Sequence, residues 1–395
     1  MNTAFHHNGP RHGGGRNQPR GADPMRVIIA GGGTGGHLYP GIAIAEEVSA
    51  RPHGEVLFVG TARGLESKLV PAAGYPLELL EVSGLKRIGW RGLARGLLRL
   101  PRAFFASRAI LRRFRPDLVF GVGGYASGPI VFAAALTGFP TAILEQNSRP
   151  GFTNRLLGRL VRRVFIAFEA SRVFFTAGKT MLTGNPVRRQ FFAGQGTEPA
   201  AVAAAAGTVL VVGGSQGARA VNELVAAMAP LLARRGALPR IVHQTGPTDF
   251  ERTRASYAAL GDAVAAAVDV RPYIDDMPAA LAQASLVIGR AGALTLAELA
   301  IVGRPAILIP LPTAADDHQT ENARELAQAG AALVLRQTDA TPGALGDLVV
   351  ALLSDQPRRA AMARAMAGLG RPGAARAIVD ELEKLAPGAA ARGGS

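Results

Sequence analysis

The sequence predicts an α/β protein of two doubly wound domains facing one another across a cleft, and three observations carry that prediction. Short apolar runs alternate with helical patterns along most of the chain, as parallel strand–helix–strand units require. A strand, a glycine loop and a helix open each half, at 26–30, 31–36 and 39–49 and again at 208–212, 213–217 and 220–232. The later parts echo one another too, 117–121 with 138–144 matching 285–289 with 303–308.

In chain order, residues 1–24 are rich in Gly, Arg, His and Asn and read as a disordered extension. His6, His7 and His12 belong to that tail rather than to a metal site. No apolar run follows the early arginines, so no signal peptide is expected. The first domain is expected over 25–187, the second over 188–386 and a tail over 387–395, with the join near Gly184-Asn185-Pro186 and a linker-like stretch at 193–207. Two domains suit 395 residues. With 48% hydrophobic and 18% charged residues the chain is too apolar for a disordered protein. Cysteine is absent, which excludes disulfides, thiolate metal sites and Cys nucleophiles and suits a reducing cytoplasm.

Charge is unevenly placed. Residues 1–195 hold 26 Lys and Arg against 10 Asp and Glu, whereas 196–395 hold 18 against 19. The densest basic stretch, 86–115, has no acid between Glu81 and Asp117 and interleaves arginines with Trp90, Leu97, Phe104, Phe105 and Phe114. Arg91, Arg95, Arg99 and Arg102 lie at helical spacing, so the stretch reads as a basic amphipathic helix interrupted near Pro101. Such a face suits an anionic membrane surface; a solvated arginine face is the plainer alternative. Nucleic acid is not expected, since no nucleic-acid module accompanies the charge. The run 118–144 carries no charge and is long enough to span a bilayer. Its glycines and prolines divide it instead into strand, loop, short helix and strand.

Ligands of open α/β sheets bind beyond the carboxyl ends of the strands, where glycine lets backbone N–H groups approach a phosphate and a helix N-terminus favours negative charge. Both halves offer such a place. The first loop, Gly31-Gly32-Gly33-Thr34-Gly35-Gly36-His37, satisfies G-x-G-x-x-G. The second strand, however, runs into Gly60-Thr61-Ala62-Arg63 without the acid that would hold a nicotinamide ribose, which disfavours NAD and leaves NADP only Arg63. No P-loop motif exists. In the second half, Ala291-Gly292-Ala293-Leu294-Thr295-Leu296-Ala297-Glu298 starts a helix after a strand, with Glu298 one or two turns inside. That helix start suits a departing diphosphate, and that carboxylate suits the two hydroxyls of a ribose. An ordinary Glu in a helix's first turns is the alternative. The polar run Asp316-Asp317-His318-Gln319-Thr320-Glu321-Asn322 matches no metal-ligand spacing, and Gln319 and Asn322 read as sugar-hydroxyl partners.

Gly32 to His37, Gly123-Gly124-Tyr125, Glu145-Gln146-Asn147, Gly184-Asn185-Pro186-Val187-Arg188, Gly213 to Ala218 and Gly292 to Glu298 together resemble, in order and over about 25–385, the motifs of the MurG family. The resemblance implies a GT-B glycosyltransferase fold of two Rossmann-like domains. It implies an inverting transfer of N-acetylglucosamine from UDP-N-acetylglucosamine to the muramyl C4 hydroxyl of undecaprenyl-linked lipid I, giving lipid II for peptidoglycan synthesis. The place of work implied is the cytoplasmic face of the inner membrane, as a peripheral protein.

By the same resemblance Thr34, Gly35 and Gly36 lie near the transferred sugar and the acceptor diphosphate, with Gly33 on the acceptor side. Asn147 contacts the acetamidoglucose, Arg188 and Ser215 the donor, Ile274 the uracil through its backbone, and Gln319 the sugar hydroxyls. Ala293, Leu294, Thr295, Leu296, Ala297 and Glu298 hold diphosphate and ribose. Direct displacement needs a base for the acceptor hydroxyl and stabilisation of the leaving group. His37, with a pKa suited to proton transfer, and Glu145 are the candidate bases; a His that only binds phosphate is the alternative for His37. Tyr125 reads as an acceptor-side positioning group. No cofactor is implied and no metal is required. A retaining enzyme of this fold would place a Glu eight positions before Glu298, where Arg290 stands. A UDP-sugar epimerase on the same plan would leave the basic stretch unexplained. A noncatalytic basic scaffold would leave the glycine loops and Glu298 unexplained.

Overall fold

The computed structural model describes residues 25–386 apart from 53, 63, 82–89, 125, 193–206 and 315–316, together with the backbone but not the side chains of 90–100. In the first half, β1 (Arg26–Gly31), β2 (Glu55–Gly60), β3 (Leu77–Leu79), β4 (Leu118–Gly123), β5 (Thr141–Glu145), β6 (Arg163–Ile166) and β7 (Thr180–Leu182) form a parallel sheet of order β3-β2-β1-β4-β5-β6-β7. Between them run α1 (Gly35–Ser49), α2 (Glu66–Ala72), α3 (Trp90–Phe114), α4 (Ser127–Leu136) and α5 (Phe152–Leu157). Continuous apolar strands follow from burial on both faces. Val27 and Ile29 point into one core layer while Ile28 and Ala30 point into the other, as the two-residue strand period dictates.

The second half repeats the plan. β8 (Thr208–Val212), β9 (Arg240–Gln244), β10 (Val268–Arg271), β11 (Leu286–Gly289), β12 (Ala306–Leu308) and β13 (Ala332–Val334) are ordered β10-β9-β8-β11-β12-β13. Its helices are α6 (Arg219–Arg234), α7 (Phe250–Ala258), α8 (Asp262–Ala267), α9 (Met277–Gln283), α10 (Ala293–Val302), α11 (His318–Gln328), α12 (Pro342–Ser354) and α13 (Gln356–Gly368). Each sheet reverses its strand order beside its first strand, between β1 and β4 and between β8 and β11. Each glycine loop therefore opens at a switch point, where ligands of such sheets bind.

Three sequence expectations need correction. The first helix begins at Gly35 rather than at residue 39, so Gly35 and Gly36 are its first turn and not part of the loop. Pro101 does not interrupt α3, which runs unbroken from Trp90 to Phe114. A proline removes one intrahelical hydrogen bond, and here it is solvent-exposed. The second domain's core does not extend to 386. α14 (Ala374–Leu385) returns to the first domain and buries Ile378, Val379 and Leu382 in the layer that contains Val27 and Ile44. An amphipathic helix states that it needs a core but not which one. In the other direction the chain leaves the first sheet after β7 and enters the second core at Val187 and Phe191. The linker-like stretch at 193–206, both tails and residues 86–89 lie outside the described residues. The uncharged run 118–144 is β4, α4 and the start of β5, and no described helix is long and apolar enough to cross a membrane.

Candidate active site

The first wall of the cleft starts at the end of β1. Gly32 and Gly33 have φ of +150° and +91°, a backbone region that L side chains rarely adopt, and lead to Thr34, which precedes α1 without capping it by its side chain. The N–H groups of Gly35 and Gly36 thus have no partner within the helix, which leaves an anion-binding end open. His37 follows, its ring against Gly123, where a Cβ would lie 2.6 Å from Nδ1. That nitrogen is buried without a hydrogen-bond partner. Burial lowers the His37 pKa, against the raising effect of the Val122 carbonyl and Gln146, while His318 of α11 lowers it further. The imidazole is neutral at pH 7 with a ring nitrogen uncommitted.

At the end of β5, Glu145 is buried and its pKa raised by that burial, against hydrogen bonds that lower it. Its oxygens accept from Asn147 N–H (2.9 Å), Asn147 Nδ2 (3.2 Å) and Asn154 Nδ2 (2.9 Å). This geometry makes Glu145 a holder of the Asn147 loop, since a carboxylate occupied by three donors has little capacity left for a substrate proton.

The second wall is the start of α10. Gly292 precedes it with no side chain to cap the helix, leaving the first N–H groups, those of Ala293, Leu294 and Thr295, open. Glu298 lies one turn inside, 8% exposed, with Arg188 Nη2 3.4 Å from Oε1. Burial raises its pKa to about 7, against Arg188, which lowers it. The Arg188 guanidinium stacks on Tyr39 at 4.1 Å and on Phe191 at 5.3 Å. Arg290 is buried and donates to the carbonyls of Ile309 (2.9 Å) and Pro310 (3.1 Å) and to Gln337 (2.7 Å), tying the ends of the second sheet together.

The walls touch. A Cβ on Gly35 would lie 3.9 Å from Ser215 Oγ of the second glycine loop, and Tyr39 and Tyr273 meet through their hydroxyls at 3.3 Å. Asn322 of α11 accepts from Ser148 N–H (2.8 Å) and Ser148 Oγ (2.9 Å) and donates to Asn147 Oδ1 (3.1 Å) and to the Ala291 carbonyl (3.2 Å).

The structure thus gathers Thr34, Gly35, Gly36, His37, Asn147, Arg188, Ser215, Glu298 and Gln319 about one cleft, and it reassigns others. Asn322 is wholly buried and its side chain spent on the junction between domains, so it is no sugar partner here. Leu296 turns into the core and its N–H donates to the Gly292 carbonyl at 3.0 Å, and Ala297 packs on the same core. Neither faces a ligand. The Gly33 N–H donates at 2.7 Å to Glu66, not toward the cleft. The Ile274 N–H donates to Gln244 Oε1 (3.0 Å), whose Nε2 donates to the Gly214 carbonyl (3.0 Å). Gln319 Oε1 accepts from Leu311 N–H at 3.0 Å, which leaves its amide N–H groups. Tyr125 lies outside the described residues. Sequence reasoning missed Glu66, Tyr39, Tyr273 and Gln244; an acid shortly after the second strand was the one available signal, for Glu66.

The sequence model of the glycosyltransferase family 28 N-terminal domain matches residues 27–166, and that of its C-terminal domain matches 208–378. The protein of Myxococcus xanthus named UDP-N-acetylglucosamine–N-acetylmuramyl-(pentapeptide) pyrophosphoryl-undecaprenol N-acetylglucosamine transferase is 51% identical over 357 residues, which cover 90% of this chain and 92% of that one. The namesake of Syntrophotalea carbinolica is 48% identical over 357 residues, covering 90% and 97%. Among solved structures, Acinetobacter baumannii MurG superposes with a TM-score of 0.73 at 32% identity, over 91% of this chain and all of that one. A UDP-GlcNAc 2-epimerase from Neisseria meningitidis reaches 0.65 at 13% identity over 91% of this chain and 100% of its own, a likeness of fold alone. Two paired sheets with a glycine loop at each switch point, and both domain models matched in order, place the chain in glycosyltransferase family 28 and, within it, in the MurG family.

Proposed function

We propose that the chain transfers N-acetylglucosamine from UDP-N-acetylglucosamine to the muramyl C4 hydroxyl of undecaprenyl-pyrophosphoryl-MurNAc-pentapeptide, with inversion. One observation carries the reading. Two open helix N-termini stand on opposite walls of one cleft, with the first turn of α1 against the second glycine loop at Ser215. Each suits one diphosphate: that of the acceptor at Gly35 and Gly36, that of the donor at Ala293 to Thr295. Glu298 takes the ribose hydroxyls, Ile274 the uracil through its carbonyl, and the Gln319 amide the sugar hydroxyls. His37 takes the proton of the C4 hydroxyl as its oxygen attacks the anomeric carbon. The bond from that carbon to the diphosphate breaks on the opposite side, and UDP leaves with its charge held by the α10 start and Arg188.

An acceptor anchored by its lipid would put the work at a membrane surface, which by the family resemblance is the cytoplasmic face of the inner membrane. Phe105, Phe132, Leu136, Phe152 and Leu156 are exposed on α3, α4 and α5 of the first domain, with Arg102, Arg112 and Arg159 also exposed on or beside these helices. That combination favours anionic lipid through both charge and shallow burial. The test is incubation with UDP-N-acetylglucosamine, with and without the lipid-linked muramyl acceptor. UDP release that requires the acceptor is expected. Epimerised nucleotide sugar formed without acceptor, or no turnover with it, would refute the reading.

A further inference from the structure

Glu66 opens α2 beneath the first glycine loop and is 1% exposed, a burial rare for a carboxylate. Oε2 accepts from Gly33 N–H at 2.7 Å, and Oε1 accepts from Thr61 N–H at 2.8 Å and from Thr61 Oγ1 at 2.7 Å. Burial raises the Glu66 pKa, but the donors from Gly33 and Thr61 outweigh it and the net shift is downward, so the group is ionised at neutral pH. Three glycines make its room: a Cβ on Gly32 or Gly64 would collide with the Glu66 carboxylate, and one on Gly60 with its Cγ.

The loop that Glu66 grips is made of glycines. Gly32 and Gly33 occupy positive φ, and glycine loses more backbone freedom on ordering than any other residue. The next residues are those that face the cleft: Thr34, the open N–H groups of Gly35 and Gly36, and His37. We propose that Glu66 is a positioning residue for the transfer, holding the first loop through the Gly33 amide so that the α1 N-terminus and His37 stay aimed at the acceptor. It touches no substrate. The proposal rests on the reading that this wall receives the acceptor. A carboxylate is needed because both oxygens must accept. In an amide, the oxygen retained by Thr61 would turn an NH2 group toward the Gly33 N–H, donor against donor, and release the loop.

The test is Glu66→Gln in the full chain, with Thr61→Val, which removes one hydroxyl donor and keeps both backbone bonds. UDP, held by the second domain alone, reports on folding and on the donor wall. For Glu66→Gln the expected result is a UDP Kd within twofold of wild type, kcat/KM for the lipid-linked acceptor lowered about 10- to 100-fold, and a Gly33 amide that loses hydrogen-exchange protection. For Thr61→Val a two- to fivefold fall in the same ratio is expected, with UDP binding unchanged; this variant decides the matter if Glu66→Gln does not fold. Wild-type acceptor kinetics in either folded variant, or UDP binding weakened in step with transfer, would overturn the proposal. Transfer by the wild-type chain tests the underlying reading separately.

Discussion

Glu298 and Arg188 form a pair whose charge state the donor should change. With its pKa raised to about 7 by burial, the carboxylate is only partly ionised in the empty cleft at neutral pH. A ribose bound there, as proposed, would donate its hydroxyls to the ionised form. Donor affinity should therefore rise as pH increases through about 7 and level off above it, and Glu298→Gln should flatten that dependence in Kd titrations at several pH values. Glu298→Ala should weaken donor binding by about 1.5–3 kcal/mol, the worth of hydrogen bonds to a charged group, with little loss of folding. His37 titrates the other way: burial lowers its pKa, so the acidic limb of kcat/KM lies below the ordinary histidine value of about 6.5. His37→Ala should lower kcat by roughly 10²–10⁴-fold, abolish that limb and leave UDP binding intact, as steady-state rates and titrations would show. Both residues were legible because a glycine-led helix start is written locally. Glu66 was not: its partner Gly33 stands 33 positions earlier, and an acid among glycines reads as a solvated turn.

α3 shows what a helix face adds to a sequence pattern. Its exposed residues Arg102, Phe105, Ala109 and Arg112 follow one another by three or four positions and so share a face. The sequence pattern of Arg91, Arg95, Arg99 and Arg102 has only Arg102 among the described side chains; the other three lie outside them. The contributions of Phe132 and Leu136 on α4 and of Phe152 and Leu156 on α5 were not readable from the sequence, because single apolar residues in short helices look like core until the packing is known. If this face meets lipid, Phe105→Ser with Arg102→Glu and Arg112→Glu should weaken binding to anionic vesicles, each cation contributing about 1 kcal/mol. Sedimentation should show that loss and a salt dependence in the wild type, while transfer to a water-soluble acceptor persists. The strands were the most legible elements, since a strand buried on both faces is a short uninterrupted apolar run, as β4 and β8 are.

Across the whole molecule the two domains share a junction of Ser148, Asn147 and Asn322, a pair of tyrosines and one borrowed helix. α14 also ties itself to the first domain by charge, with Asp380 on Arg51 and Glu381 on Arg163. Ile378→Ala should cost about 2–5 kcal/mol, the range for truncating a buried aliphatic side chain. Hydrogen exchange should show the loss in β1 and β2 rather than in β8 and β11; the opposite pattern would return α14 to the second domain. The two-domain plan was legible from the repeated openings of the halves, but the destination of the last helix depended on a surface some 350 positions away in the chain. That separation orders events during synthesis. At about 5–20 residues per second, the ribosome needs tens of seconds to travel from β1 to α14. The second domain can therefore be complete while the half that begins the chain still exposes the apolar bed of α1 where Ile378 and Leu382 will lie. A released chain that ends before residue 374 should carry a finished second domain and an unfinished first one, the reverse of the order in which they are made.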